Sequence, residues 1–383
     1  MYAAQVDYQN DFGFLMKRRY KFLGGLVGVA VLGLVALGAV LAHEKPCPMV
    51  PERAMDGNSM KAWMARCYGG PELLQLESLP KPAPADDEVL VKVHAASVNP
   101  LDWHGMRGEP RIMRLGTGIG APGDAHFGVD FAGVVESIGK RVTKFKPGDA
   151  VFGLSNGAFG EYLVVRESGS VAPKPANVSF QEAAAVPVAA VTALQSLRDR
   201  GQVKSGQKVL INGASGGVGT FAVQLAKIFG AEVTAVCSGR NVDMVRALGA
   251  DHVIDYTRED VTTGSTRFDV IIDLVGTHSM PEYRRILVDD GNFVIVGALG
   301  DGKWLDPLGF VLKAKIYGLF VSPRFHFFIA NATTADLQLL GGLMQEGKIK
   351  SVIDKTYSLS GVPEAIRYLE TGRARGKVVI DVN

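Results

Sequence analysis

The chain has 383 residues, a formal net charge of +2 and three cysteines. A near-neutral balance with no long basic stripe excludes the electrostatic footprint of a nucleic-acid binder. Cys47, Cys67 and Cys237 are far apart and form no Cys-x-x-Cys pair, which argues against a disulfide framework or a structural zinc site and for buried or incidental thiols.

In chain order, residues 1–21 are a basic segment ending in Lys17, Arg18, Arg19 and Lys21. Phe22 to Ala42 is an uncharged run of about 21 residues, which as a helix spans roughly 31 Å, the depth of a bilayer core. A single-pass transmembrane helix is expected over 22–42, with Gly24 and Gly28 as a weak Gly-x-x-x-Gly pairing face. A cleavable signal ending near Ala42 is the rival, although such apolar regions usually run about 7–15 residues. The expected location is a membrane, on a side left open, or the cytoplasm if translation starts at Met60. Residues 43–59, rich in proline and charge, read as a linker.

From Met60 the texture changes to short alternating strands. In EVLVKVHAAS, Val89, Val91 and Val93 fall on one face and Lys92 and His94 on the other, the period-2 pattern of a half-buried strand. The segments around GVDFAGVVESIG, GDAVFGL and EYLVV repeat it, so residues 60–180 are expected to form a β-rich, partly barrel-shaped domain. Over 181–324, strands alternate with helices, which predicts an α/β unit with a doubly wound parallel sheet. Residues 325–383 return to the first domain and close with YSLSGVPEAIRYLETGRARGKVVIDVN, a strand, helix and strand.

The strongest local signal is QKVLINGASGGVGTFAVQLAKIFGAEVTAVCS. A hydrophobic strand ends at Ile211, and a helix opens at about Val218. Between them, Gly213, Gly216 and Gly219 recur at three-residue spacing, with Ser215 and Gly217 in the same turn. A pyrophosphate must approach backbone N–H groups at a helix N-terminus, and side chains would block it. NAD enzymes usually carry an acid at the end of the second strand, about 20 residues on. Here EVTAV runs into Cys237, Ser238, Gly239, Arg240 and Asn241, with no acid. Ser238 and Arg240 suit a 2′-phosphate, so NADPH is the expected cofactor.

Gly206 to Gly219, continued by Gln224 and Lys227, resembles the signature of zeta-crystallin-like quinone oxidoreductases, a zinc-free branch of the medium-chain dehydrogenase/reductases. SVNPLDW, GVDFAGVV, VTKFKPGDAVFG, the Pro187 to Thr192 helix and RGKVVI extend the likeness from Met60 to the C-terminus. The resemblance implies a GroES-like catalytic domain interrupted by a Rossmann domain, an interdomain active site and a homodimer. It places Asn99, Thr192 and Gly276 at the nicotinamide end, and Ser238, Arg240 and Tyr256 around the adenosine phosphate. Zinc relatives carry a cysteine where SVNPLDW has Asn99 and a His-Glu pair where GVDFAG has Val129 and Asp130, so no metal is expected.

Without a metal, hydrogen-bond donors must stabilise the developing oxyanion. Asn99 is the candidate donor, and His104 the candidate proton source. Such a site suits reduction of enones, enals or quinones. Metal-free alcohol or aldehyde oxidation and a membrane-tethered NADPH-binding protein of little activity are the alternatives.

Overall fold

The computed structural model describes residues 31–51, 54, 56–297, 304, 309, 312, 318 and 322–382. The chain enters through an antiparallel pair, β1 (Ser59–Met64) and β2 (Gln75–Pro80). β3 (Glu88–Val98), β4 (Asp130–Ile138), β5 (Ala150–Leu154), β6 (Tyr162–Arg166) and β7 (Val171–Pro173) then build the first domain. Val89, Val91 and Val93 of β3 are buried, Lys92 is exposed, and His94 stacks on Phe180 at 4.5 Å.

The chain next forms β8 (Lys208–Asn212), β9 (Glu232–Cys237), β10 (His252–Asp255), β11 (Phe268–Asp273), β12 (Leu287–Ile295) and β13 (Arg324–Phe327). All pair in parallel, in the order β10-β9-β8-β11-β12-β13. Numbered within this domain the order is 3-2-1-4-5-6, the doubly wound dinucleotide arrangement. Val209, Leu210 and Ile211 of β8 are fully buried, as expected of a central strand covered on both faces. Finally β14 (Ile353–Ser358) and β15 (Lys377–Asp381) rejoin the first sheet, β15 antiparallel to β3. That return sets β15 of one domain against the glycine turn of the other.

Two expectations need correction. Among the described residues no helix is long and apolar enough to cross a membrane. Residues 22–30 of the expected span lie outside the described residues. The rest, 31–42, is a helix of about 18 Å, and its end is held against the first domain, where Leu41 is buried and its carbonyl accepts from Arg114 at 2.9 Å. The single-pass anchor, and the membrane location drawn from it, are therefore withdrawn. Nor are all the cysteines incidental thiols: Cys47 and Cys67 form a disulfide with a Cα–Cα distance of 5.0 Å. A 20-residue separation outside any motif gave no sign of it. Only Cys237 is free, buried in β9, with burial pushing its thiol up to about 11. The presumed linker is likewise docked over 43–48, where Lys45 N–H donates to Gly120 and Pro48 O accepts from Gln75.

Candidate active site

The glycine turn follows directly from β8. Gly213 adopts φ +88°, which favours glycine, and the helix Gly217–Ile228 opens one residue earlier than expected, with Gly216 at its N-cap. A Cβ on Gly219 would lie 2.3 Å from Gly213 O and 2.7 Å from Ala214 Cα, both backbone atoms. The third glycine thus permits close approach of helix and strand. A Cβ on Gly216 would meet nothing nearer than Gly213 O at 3.6 Å, so space is open above the turn. Ser215, Gly216, Gly217 and Val218 are half-buried there, at the helix N-terminus. The turn therefore fits a pyrophosphate, which the amide-rich helix end favours electrostatically.

The structure brings the expected adenosine residues together. The Asn241 amide donates to Ser215 Oγ at 3.0 Å and Ser238 Oγ at 3.1 Å, while its buried Oδ1 has no partner. Arg240 is exposed and donates one N–H to Arg373 O at 2.7 Å, across the seam to the catalytic domain. Tyr256 is exposed, with its N–H on Cys237 O. A hollow lined by Gly239, Val242, Val253 and Asp255 opens beside this turn. Asp255 escaped the sequence reading because it comes from β10 rather than β9. Its carboxylate would meet a Cβ on Gly239 at 2.5 Å and accepts from Thr257 N and Oγ1, which lowers its pKa.

At the other end of the turn, Asp273 Oδ1 accepts from Gly276 N at 2.9 Å and Asn212 Nδ2 at 3.0 Å, holding Gly276 at φ +74°. Thr192, half-buried on the helix Pro187–Gln195, donates to Val188 O at 2.6 Å. Val188 N in turn donates to Asp130 Oδ1 at 3.0 Å, which ties that helix to the catalytic domain.

The centre of the seam is a buried polar cluster. Lys377 Nζ donates to Asn99 Oδ1 at 2.5 Å and lies 3.4 Å from Asp130 Oδ2. Asn99 Nδ2 donates to Asp130 Oδ2 at 2.9 Å and Ser97 O at 3.2 Å, and Ser97 Oγ donates to the same carboxylate at 2.9 Å. Burial pushes Asp130 up and Lys377 down, each opposed by the other's charge. Lys377 also lies under the glycine turn, since a Cβ on Gly217 would come within 3.0 Å of its Cδ. Next to it, Gly376 N donates to Ser215 O at 2.9 Å, and Gly216 bridges Gly376. Lys377 is the residue that the sequence reading missed, although RGKVVI had been marked.

This geometry revises two roles. Both amide hydrogens of Asn99 are engaged inside the protein and its oxygen is held by Lys377, so the side chain has no donor left for a substrate oxygen. Asn99 also begins the helix Pro100–Arg107, where Asp102 accepts from its N–H at 2.7 Å, and burial pushes Asp102 up to about 8. His104 stacks on Trp103 at 3.7 Å, and its Nδ1 lies 2.8 Å from Glu109 O. A carbonyl only accepts, so Nδ1 carries the hydrogen and Nε2 carries a lone pair. Burial lowers the His104 pKa, which favours that neutral form and makes His104 an acceptor rather than an acid.

A doubly wound dinucleotide domain clasped against a polar centre that carries its own ammonium defines a nicotinamide-dependent oxidoreductase. The alcohol dehydrogenase GroES-like domain family matches residues 85–176, and the zinc-binding dehydrogenase family matches residues 248–380. The chain is 36% identical to the 2-methylene-furan-3-one reductase of Solanum lycopersicum, over 84% of this chain and 79% of that one. It is 33% identical to the chloroplastic NADPH-dependent alkenal/one oxidoreductase of Arabidopsis thaliana, with the same two coverages, 84% and 79%. The solved quinone oxidoreductase from Coxiella burnetii superposes with a TM-score of 0.74 at 32% identity, over 85% of this chain and all of that one. The chain belongs to the zinc-free, quinone oxidoreductase-like branch of the medium-chain dehydrogenase/reductases. Although one family description mentions zinc, among the described residues no group of three His, Cys, Asp or Glu side chains could hold a metal. At Asn99 a cation would also be repelled by the Lys377 ammonium.

Proposed function

We propose that the protein reduces α,β-unsaturated carbonyls or quinones with NADPH, without a metal. The observation that carries this reading is the Lys377 seam, which joins a phosphate-binding turn to a polar centre built on Asn99 rather than a metal ligand. When bound, the reduced nicotinamide supplies the hydride. Gly213, Ser215, Gly216, Gly217, Val218 and Gly219 receive the pyrophosphate. Thr192 and Gly276 border the nicotinamide end. The names of the tomato and Arabidopsis relatives, an enone reductase and an alkenal/one oxidoreductase, support the substrate class.

In this mechanism Asn99 and Lys377 are positioning residues. They fix the start of the helix Pro100–Arg107 and thereby the placement of Trp103 and His104. His104 Nε2 would accept a hydrogen bond from a cofactor hydroxyl, and solvent supplies the proton that follows hydride addition. His104→Gln, which keeps an acceptor, should retain most activity. His104→Leu should lower kcat/KM on a simple enone by about tenfold, a loss of about 1.4 kcal/mol of transition-state stabilisation. Equal rates for wild type and His104→Leu would remove His104 from the site. A screen of enones, quinones and alcohols that finds only alcohol oxidation would overturn the substrate class.

For the cofactor, Ser238, Arg240, Asn241 and Tyr256 surround the adenosine 2′-phosphate. Asp255 opposes that phosphate through its charge, so the preference is moderate. NADPH should bind about tenfold tighter than NADH, a gap of about 1.4 kcal/mol. Arg240→Ala should close that gap by weakening NADPH, and Asp255→Asn should widen it. Fluorescence titration checks both, and equal affinities in the wild-type protein would sink the assignment.

A further inference from the structure

Residues preceding β1 lie outside the family resemblance, yet they grip the helix that carries Trp103 and His104. The connection runs through Arg114, whose side chain is fully buried. Its guanidinium donates from Nε to Gly108 O at 2.9 Å and from Nη2 to Arg107 O at 3.1 Å. Those carbonyls belong to the end of the helix Pro100–Arg107 and its C-cap, where a cation is favourable. The remaining bonds go to the N-terminal segment, from Nη1 to Leu41 O and from Nη2 to Glu44 Oε1, both 2.9 Å. Beneath it, the guanidinium stacks on Tyr68 at 4.3 Å, and Tyr68 Oη donates to Gly118 O at 2.7 Å. Cys67, next to Tyr68, is joined to Cys47 of the same segment. A buried guanidinium therefore depends for its counter-ion on a segment that one cleavable bond fastens down together with the bonds from Lys45 to Gly120 and from Gln75 to Pro48.

We propose that Arg114 is a positioning residue for the reductase site and that the Cys47–Cys67 disulfide controls it by holding residues 41–48 as a strap. The inference rests on reading the helix Pro100–Arg107 as a wall of that site. A dithiol reductant breaks the S–S bond by two successive exchanges. Two electrons and two protons pass to Cys47 and Cys67, and the reductant closes to its cyclic disulfide. Glu44 and the Leu41 carbonyl are then free to leave Arg114. The guanidinium turns toward water, and Arg107 O and Gly108 O lose their donor. Compartments that keep NADPH reduced also keep most thiols reduced, so the bond links activity to an oxidising interval.

The full chain, oxidised and dithiol-reduced, separates the strap from the reaction. Hydrogen exchange of the Gly108, Glu109, Met113 and Gly118 amides should quicken at least fivefold on reduction, while the Gly213–Gly219 turn is unchanged. The kcat/KM for an enone should fall at least threefold, with the NADPH Kd within twofold. Glu44→Gln should reproduce both changes in the oxidised protein, and Cys47→Ser should abolish the response to reductant. A purely structural strap would change thermal stability alone, so faster exchange with unchanged kcat/KM overturns the proposal. So does finding both thiols alkylatable in protein purified without reductant. If no enone or quinone is turned over, the proposed reaction fails, while exchange still decides whether the strap controls Arg114.

Discussion

Lys377→Met is expected to destabilise the protein by about 3–5 kcal/mol, because it leaves a buried carboxylate without its cation. Lys377 is the only cation bonded to Asp130 among the described residues, at 3.4 Å, and it also satisfies Asn99 Oδ1 at 2.5 Å. Methionine fills a similar volume in the packed end of β15, so the loss isolates charge and hydrogen bonding from packing. Asp130→Asn in the same chain removes the stranded charge and should recover at least half of the lost stability, a coupling that a double-mutant cycle in urea measures. Activity should not recover in parallel, because Asn99 still lacks the donor that orients it. A single variant within about 1 kcal/mol of wild type would show that the cluster is a solvated accident rather than the centre of the seam.

What the sequence revealed and what it concealed divide along a physical line. Period-2 alternation in β3 and the buried run of β8 are local properties, and both elements stand where the pattern put them. The glycine turn was legible for the same reason, since strand, glycines and helix adjoin in sequence. Lys377 was not, because its meaning comes from partners 278 residues away at Asn99 and 247 away at Asp130. A lysine opening a hydrophobic strand ordinarily looks like a solvated flank. Asn99 stood out in the sequence, but the engagement of its amide hydrogens becomes visible only once Ser97 O and Asp130 are in place. The strap was obscured by composition. Proline and charge read as linker, while the docking depends on Arg114, some 70 residues on, and on a disulfide with no motif. The apolar run misled in the opposite direction, because uncharged length alone cannot tell a bilayer span from a helix whose end packs on its own protein.

At this place the two domains are joined by the backbone bond from Gly376 to Ser215 and the side-chain bond from Arg240 to Arg373, while Lys377, bonded within the first domain, approaches Gly217. Both bonds join residues 373–376 to the turns that follow β8 and β9. A ligand along that line meets both domains, as expected at the switch point of a doubly wound sheet.

Gly216→Ala and Gly219→Ala should fail in different ways, and the contrast tests the cofactor site directly. Gly219 is confined by backbone atoms, with Gly213 O at 2.3 Å and Ala214 Cα and C at 2.7 Å from any added Cβ. No side-chain rotation can relieve that contact, so the helix must back away from β8. We expect a stability loss of about 3 kcal/mol or more, at the upper end of overpacking costs, with dinucleotide binding lost as well. Gly216 has φ −82° and ψ 177°, a backbone that alanine adopts without strain, and its Cβ would only touch Gly213 O at 3.6 Å. Gly216→Ala should therefore unfold within about 0.5 kcal/mol of wild type, as substitutions that create no strain or cavity do. Its methyl group would nevertheless stand over the helix N-terminus where the pyrophosphate oxygens approach. NADPH affinity should fall at least about thirtyfold, roughly 2 kcal/mol. Urea unfolding and fluorescence titration on the two variants read the two effects separately. A Gly216→Ala protein that binds NADPH as tightly as wild type would mean that the dinucleotide does not cross this turn.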